Sequence, residues 1–221
     1  MKKHIPNFIT LCNLIAGSAG IVLVLEKSVF YGAYFIWIAV VFDFFDGFAA
    51  RQLKVKSLIG KELDSLADMV SFGVLPSVML YQMMKSQTDV YFLPYLAFIV
   101  AAFSALRLAK FNLDERQEEV FYGLPTPANA LFMGSLPFLP FSLNITLLSV
   151  VTIVFSLLLV SEIRLFSLKF SKFSWKGNEV RYSFLAVSVL LIGAFQVISI
   201  PMIIIGYILL SGLINFSKKG H

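Results

Sequence analysis

Apolar runs long enough to cross a bilayer recur from one end of the chain to the other, and they leave few folds open. Eight can be drawn, at about 7–25, 30–50, 66–84, 91–109, 123–140, 144–161, 183–198 and 201–216. Most approach or reach the roughly 17–25 residues needed to span a hydrocarbon core of about 30 Å. The runs lack strict alternation, and a lipid-exposed strand would need a closed barrel, so helices are the only reading. The last two runs form one apolar stretch of about 34 residues, roughly 51 Å as a helix, too long for a single crossing. Ser199-Ile200-Pro201 is therefore expected to hold a tight turn between two short spans. Only 14% of the 221 residues are charged and the mean hydropathy is +0.84, so no separate soluble domain is expected within 1–221.

Charge gives an independent reading of the same count. With eight spans, all but Lys27 and Lys85 of the 18 Lys and Arg residues fall on one side of the membrane. By the positive-inside rule that side, with both termini, is expected to be cytoplasmic. Treating 183–216 as one span would put Lys218 and Lys219 on the wrong side; six spans remain the alternative if two runs are interfacial. Met1-Lys-Lys-His4 imitates the start of a signal peptide, but no cleavage site stands out, and the first run is read as a retained span. The net charge of +5 is scattered over short loops on one face, which suits anionic lipid headgroups and argues against nucleic acid. The stretch from Arg164 to Lys176 interleaves aromatic and basic residues, as a segment at headgroup level should. The single cysteine, Cys12, excludes a disulfide framework and a cysteine-rich metal site. His4 and His221, at the termini, suggest nothing catalytic.

Four carboxylates stand where a membrane helix should avoid them: Asp43 and Asp46 near the end of the second run, Asp64 and Asp68 at the start of the third. Ionisable groups inside a membrane segment are costly and call for a partner. Spacings of i, i+3 and i, i+4 put each pair on one helix face. If the second and third runs are antiparallel neighbours joined by a polar loop over 51–63, the two faces meet near the cytoplasmic surface. Carboxylates with no His or Cys nearby favour a hard, oxygen-liganded ion, Mg²⁺ or Mn²⁺. Gly47, Ala50 and Gly60 keep the backbone open beside these acids, so a nucleotide diphosphate can approach, and Arg51 offers a fork-shaped cation for phosphate. A cation pathway through a transporter would use the same carboxylates.

The stretch Asp43-Phe-Phe-Asp46-Gly47-Phe-Ala-Ala50-Arg51, then eight residues, Gly60, three, Asp64, three and Asp68 matches every defined position of the signature D-x2-D-G-x2-A-R-x8-G-x3-D-x3-D. In this it resembles the CDP-alcohol phosphotransferase family. Asp64-Ser-Leu-Ala-Asp-Met-Val-Ser-Phe-Gly-Val-Leu-Pro76 resembles the serine-using branch of that family. So do Pro6-Asn7 with Thr10, Asn13 and Gly17, Arg107-Leu-Ala-Lys110-Phe-Asn112, and Gly123-Leu-Pro-Thr-Pro-Ala128. The resemblance covers about the first 130 residues; the rest matches only in hydropathy.

The resemblance implies an all-α polytopic bundle of about eight transmembrane helices around a six-helix family core, in one domain over 1–221. It implies two divalent cations held by Asp43, Asp46, Asp64 and Asp68, with Asp68 also the general base that deprotonates the attacking hydroxyl. CDP-diacylglycerol or CDP-archaeol would be bound by Asn7, Thr10, Gly47, Ala50, Arg51 and Gly60. L-serine would be the acceptor, with Arg107 or Lys110 neutralising its carboxylate. Another acceptor, glycerol 3-phosphate or inositol, remains open, although a phosphorylated one needs a second cluster of cations. Membrane lipids and a second copy of the chain, as in similar enzymes, are the expected partners.

Overall fold

In the computed structural model, residues 4–55, 57–113, 121–166, 175 and 178–219 are described. With no water in a bilayer core, each backbone N–H and C=O must be satisfied within its own segment, and the chain answers with helices. They are α1 (His4–Glu26), α2 (Val29–Gln52), α3 (Leu58–Asp68), α4 (Leu75–Lys85), α5 (Ile99–Leu113), α6 (Thr126–Ser135), α7 (Ile145–Val160), α8 (Glu179–Phe195) and α9 (Ser199–Lys219). A π-helical segment, Met69–Val74, joins α3 to α4 into one continuous span, Leu58–Lys85. A 3₁₀ turn at Leu93–Phe98 leads directly into α5.

All eight expected runs are helical. Among the described residues, five helical stretches are long and apolar enough to cross a membrane: His4–Glu26, Val29–Gln52, Leu58–Lys85, Leu93–Leu113 and Glu179–Asn215. α7, with 16 residues, and α6, with 10 followed by a turn at Leu136–Phe138, fall short of that length. The multi-pass all-α architecture holds, with shorter fifth and sixth segments than expected.

The stretch Glu179–Asn215 does not run straight. The break lies at Gln196, whose φ of 51° and ψ of −134° fit no helix, and not at Ser199–Pro201 as expected. Pro201 sits in the first turn of α9, where its missing N–H costs nothing. Phe184 and Tyr207 would be roughly 35 Å apart on a continuous helix. Their ring centroids are 5.7 Å apart, and both rings meet Phe166, so α8 and α9 fold back side by side.

Long-range contacts define the two ends of the bundle. Gln87 Nε2 donates to the Leu143 carbonyl at 2.9 Å, and Phe30 meets Phe138 at 5.0 Å, which collects the turns near Lys27 and Lys85 at one end. At the other end, Lys61 Nζ donates to the Asn112 carbonyl at 2.8 Å and Asn215 Nδ2 to the Arg164 carbonyl at 2.5 Å. The basic side chains described there, including Arg51, Lys54, Lys61, Lys110 and Arg164, are thus separated from Lys27 and Lys85 along the bundle. Lys2, Lys3, Lys56, Arg116, Lys169, Lys172 and Lys176 lie outside the described residues, as does most of the expected headgroup-level segment; of that segment Trp175 is exposed and stacks on Tyr182.

A topology experiment follows. In a Cys12→Ser background, cysteines placed at Lys54 and Lys110 should react with a membrane-impermeant thiol reagent from the cytoplasmic side only, and one at Lys85 only from the opposite side. Labelling of positions 54 and 85 from the same side would contradict this arrangement.

Two glycines mark where the site is shaped. A Cβ on Gly17 of α1 would lie 2.8 Å from the Ser71 Cα, so only glycine lets α1 approach the π-helical segment this closely. Gly123, at φ +74°, turns the chain into α6 over the end of α7, with its N–H on the Ile163 carbonyl and that of Leu124 on the Leu158 carbonyl. Beside it, Phe121–Tyr122 pairs antiparallel with Arg164–Leu165 in a two-residue ladder. Tyr207, Ser211 and Asn215, at successive turns of α9, bond to the backbone of Phe166 and Arg164 and hold that ladder in place.

Candidate active site

α2 and α3 are joined by only five residues, because α3 begins at Leu58 and not near 66. The expected loop over 51–63 is a correction: Ser57 caps a helix there, its Oγ accepting from the Gly60 N–H at 3.2 Å. Asp64 and Asp68 therefore lie one helical turn apart on an established helix, on the side of α3 turned toward Asp43 of α2.

The structure brings Asp43, Asp64 and Asp68 together, with one carboxylate oxygen from each within 4.8 Å of the others. Asp68 is buried and Asp43 and Asp64 are half-buried. Asp64 Oδ1 is buried with no hydrogen-bond partner among the described residues. Converging, partly orphaned carboxylates in a membrane span fit a hard divalent cation, which supplies the oxygen-seeking charge they lack. Asp46, expected as a fourth ligand, is not part of that close group. Its Oδ2 accepts a 2.6 Å hydrogen bond from Thr10 Oγ1, which ties α2 to α1.

Beside the acids lies a cavity of about 440 Å³, within the range that holds a nucleotide-sized ligand. Its walls include Asn7 and Thr10 from α1, Asp46, Gly47 and Ala50 from α2, and Gly60 and Asp64 from α3. Gly60 faces Asn7: a Cβ there would be 3.0 Å from Asn7 Oδ1. Arg51 is exposed at the rim, its guanidinium 3.3 Å from where a Gly47 Cβ would stand. The cavity thus collects five of the six residues expected for the CDP-lipid, with Arg51 alongside. Ser57 and Lys61, which also line it, were not anticipated. The signal for them was the Ser57 cap, which makes 57–63 the first turns of a helix.

The two expected acceptor residues part company. Lys110 is exposed, whereas Arg107 is buried on α5 and lies over the Phe111 ring at 5.2 Å. α5 runs antiparallel to the third span. Ser104 Cβ lies 3.1 Å from where a Gly73 Cβ would stand, and Asn112 Nδ2 donates to Ser65 Oγ at 2.9 Å. Both pairs are eight residues apart in their helices, so the register places Arg107 about level with Val70, two residues along the axis from Asp68.

Asn13 completes the surroundings of Asp68, its Nδ2 donating to Asp68 Oδ1 at 3.1 Å. Ser71 Oγ in turn donates to the Asn13 carbonyl at 3.0 Å. A π-helical segment interrupting a helix is often found at a functional site, and this one begins directly after Asp68.

The sequence model of the CDP-alcohol phosphatidyltransferase family matches residues 3–163. Over 167 residues the chain is 38% identical to the CDP-diacylglycerol--serine O-phosphatidyltransferase of Bacillus subtilis, covering 73% of this chain and 89% of that protein. The protein of the same name from Methanocaldococcus jannaschii is 34% identical over 160 residues, 72% of each chain. The archaetidylserine synthase of Methanothermobacter thermautotrophicus is 30% identical over 134 residues, covering 59% of this chain and 56% of that protein. The family-model match ends at residue 163, before α8.

Proposed function

The chain belongs to the CDP-alcohol phosphatidyltransferase family, and from that premise we propose that it transfers the phosphatidyl group of a CDP-activated lipid to the hydroxyl of L-serine, releasing CMP. The observation that carries this reading is the convergence of Asp43, Asp64 and Asp68 beside a cavity lined by the family's signature residues. The names of its relatives favour serine as acceptor and admit diacyl or archaeal ether chains on the donor.

The donor's diphosphate would lie along Gly47, Ala50 and Gly60, where small side chains leave the backbone accessible, with Arg51 at the rim and Asn7 and Thr10 opposite. Asp43, Asp64 and Asp68, with Asp46 adjoining, are the residues that would hold two divalent cations, Mg²⁺ or Mn²⁺. When bound, such ions neutralise the diphosphate and stabilise the departing phosphate. Thr10 steadies Asp46 from α1. Arg107, about two residues along the axis from Asp68, would take the serine carboxylate; the exposed Lys110 would attract the substrate without gripping it. The serine hydroxyl gives its proton to Asp68 as its oxygen bonds to the lipid-side phosphorus, and the bond from that phosphorus to CMP breaks.

By the positive-inside rule, the basic end of the bundle supports a site on the cytoplasmic side of the cell membrane. Lipid tails have a matching surface in the exposed Phe44, Phe45 and Phe48 of α2. A homodimer, as in similar enzymes, belongs to the same reading. So does a single domain over 1–221, since α9 packs on α6 and holds the 164–166 segment. The test is CMP release by the purified protein from CDP-diacylglycerol with serine, glycerol 3-phosphate or inositol in turn. Serine should support turnover and the other two should not; release with glycerol 3-phosphate alone would reassign the acceptor.

A further inference from the structure

Asn13 is wholly buried on α1, and holding Asp68 uses only half of its side chain. A carboxylate oxygen accepts, so the group facing Asp68 is the amide nitrogen and the amide oxygen is directed elsewhere. That Oδ1 is buried and has no hydrogen-bond partner among the described residues. The side chain cannot drift to find one easily. Its backbone carbonyl accepts from Ser71 Oγ at 3.0 Å, and Gly17 one turn further on holds α1 tight against the same residue. Orphaned acceptors held rigidly inside a membrane bundle are rare and want a cause.

The acceptor supplies one. Serine carries a hydroxyl, a carboxylate and an ammonium, and the proposed function, on which this inference rests, assigns Asp68 to the first and Arg107 to the second. The ammonium has three donors and no acceptor, so it needs an oxygen close to the hydroxyl, from which only two carbons separate it. We infer that Asn13 Oδ1 accepts a hydrogen bond from the ammonium of the amino-acid acceptor, so that one amide both fixes the base and reads the amine. Three separate contacts on one small molecule also define its handedness.

Another buried asparagine provides the contrast. Asn129 on α6 is wholly buried with both amide atoms unpartnered among the described residues, and α6 packs against the π-helical segment. Neither asparagine lines the cavity wall, but only Asn13 has a described hydrogen bond to Asp68.

The experiment compares L-serine with 3-hydroxypropionate, which keeps the hydroxyl and carboxylate and lacks the amine, using the full chain and CDP-diacylglycerol. Wild-type protein should prefer serine in kcat/KM. Asn13→Ala should reduce that preference by roughly ten- to hundredfold, the worth of a charge-assisted hydrogen bond. Asn13→Ser, which keeps a shorter oxygen acceptor, should fall between; it serves also if the alanine variant fails to fold by thermal unfolding. Equal slowing of both acceptors, with the preference intact, would leave Asn13 as a support for Asp68 alone and overturn the inference. Collapse of the preference in Asn129→Ala and not at Asn13 would move the amine contact to α6 and overturn it as well. Absence of serine turnover in the wild type would remove the acceptor reading itself, whereas serine turnover with an unaltered preference removes this inference alone.

Discussion

Asp43→Asn and Asp64→Asn should each lower turnover by at least about a hundredfold, the upper end of what even an outer-shell change costs at a metal site. The substitution keeps the shape of the side chain and exchanges a charged oxygen for a neutral one, so helix packing is nearly unaltered. Both residues contribute to the close carboxylate group, and Mn²⁺ binding followed by electron paramagnetic resonance should weaken in parallel. Asp46→Asn should also be inactivating, with a different signature. Asp46 stands outside the close group and accepts from Thr10, a bond that the asparagine carbonyl can retain. Its loss should fall more on KM for the CDP-lipid and less on Mn²⁺ affinity. Near-normal turnover in any of the three variants would refute the assignment of that carboxylate.

Asp68→Asn and Arg107→Gln should separate proton transfer from acceptor recognition. Removing the proton acceptor should reduce kcat by roughly 10²–10⁴ and leave KM for the CDP-lipid largely unchanged. Arg107→Gln removes the charge proposed to take the serine carboxylate and should raise KM for serine, for a loss of roughly ten- to hundredfold in kcat/KM. Lys110→Gln should do much less, since Lys110 is exposed while Arg107 is buried two residues along the axis from Asp68. Equal shifts in both KM values for Arg107→Gln would return that residue to a packing role. The contrast between Arg107 and Lys110 depends on helix register, which Ser104 against Gly73 and Asn112 against Ser65 establish.

Much of this site is legible in the amino-acid sequence itself. The spacing of the aspartates forces two carboxylate faces, and the lengths of the apolar runs force helices that bring those faces together. The remainder was hidden for identifiable physical reasons. Residues 58–63 mix charged and apolar side chains, which concealed the first turns of α3; the Ser57 cap was the signal that outweighed them. Pro201 drew the expected turn toward itself, yet proline is at ease in a first helical turn, and the chain breaks instead at Gln196. The π-helical segment has no periodicity of its own. It is set by close backbone approach at Gly17 and Gly73 to Ser71 and Ser104, contacts between residues far apart in sequence. Sequence also placed Asp46 equally with the other three acids, because spacing alone does not show that Thr10 draws it to α1.

The most direct test follows the oxygen that forms the new bond. The purified protein is incubated with CDP-diacylglycerol and L-serine labelled with ¹⁸O in its hydroxyl, and the lipid and CMP products are analysed by mass spectrometry. Attack by the serine oxygen on the lipid-side phosphorus predicts one label in each serine-containing phospholipid, none in CMP, and one CMP per lipid formed. CMP released without a labelled serine lipid, or a serine lipid that has lost the label, would contradict the account.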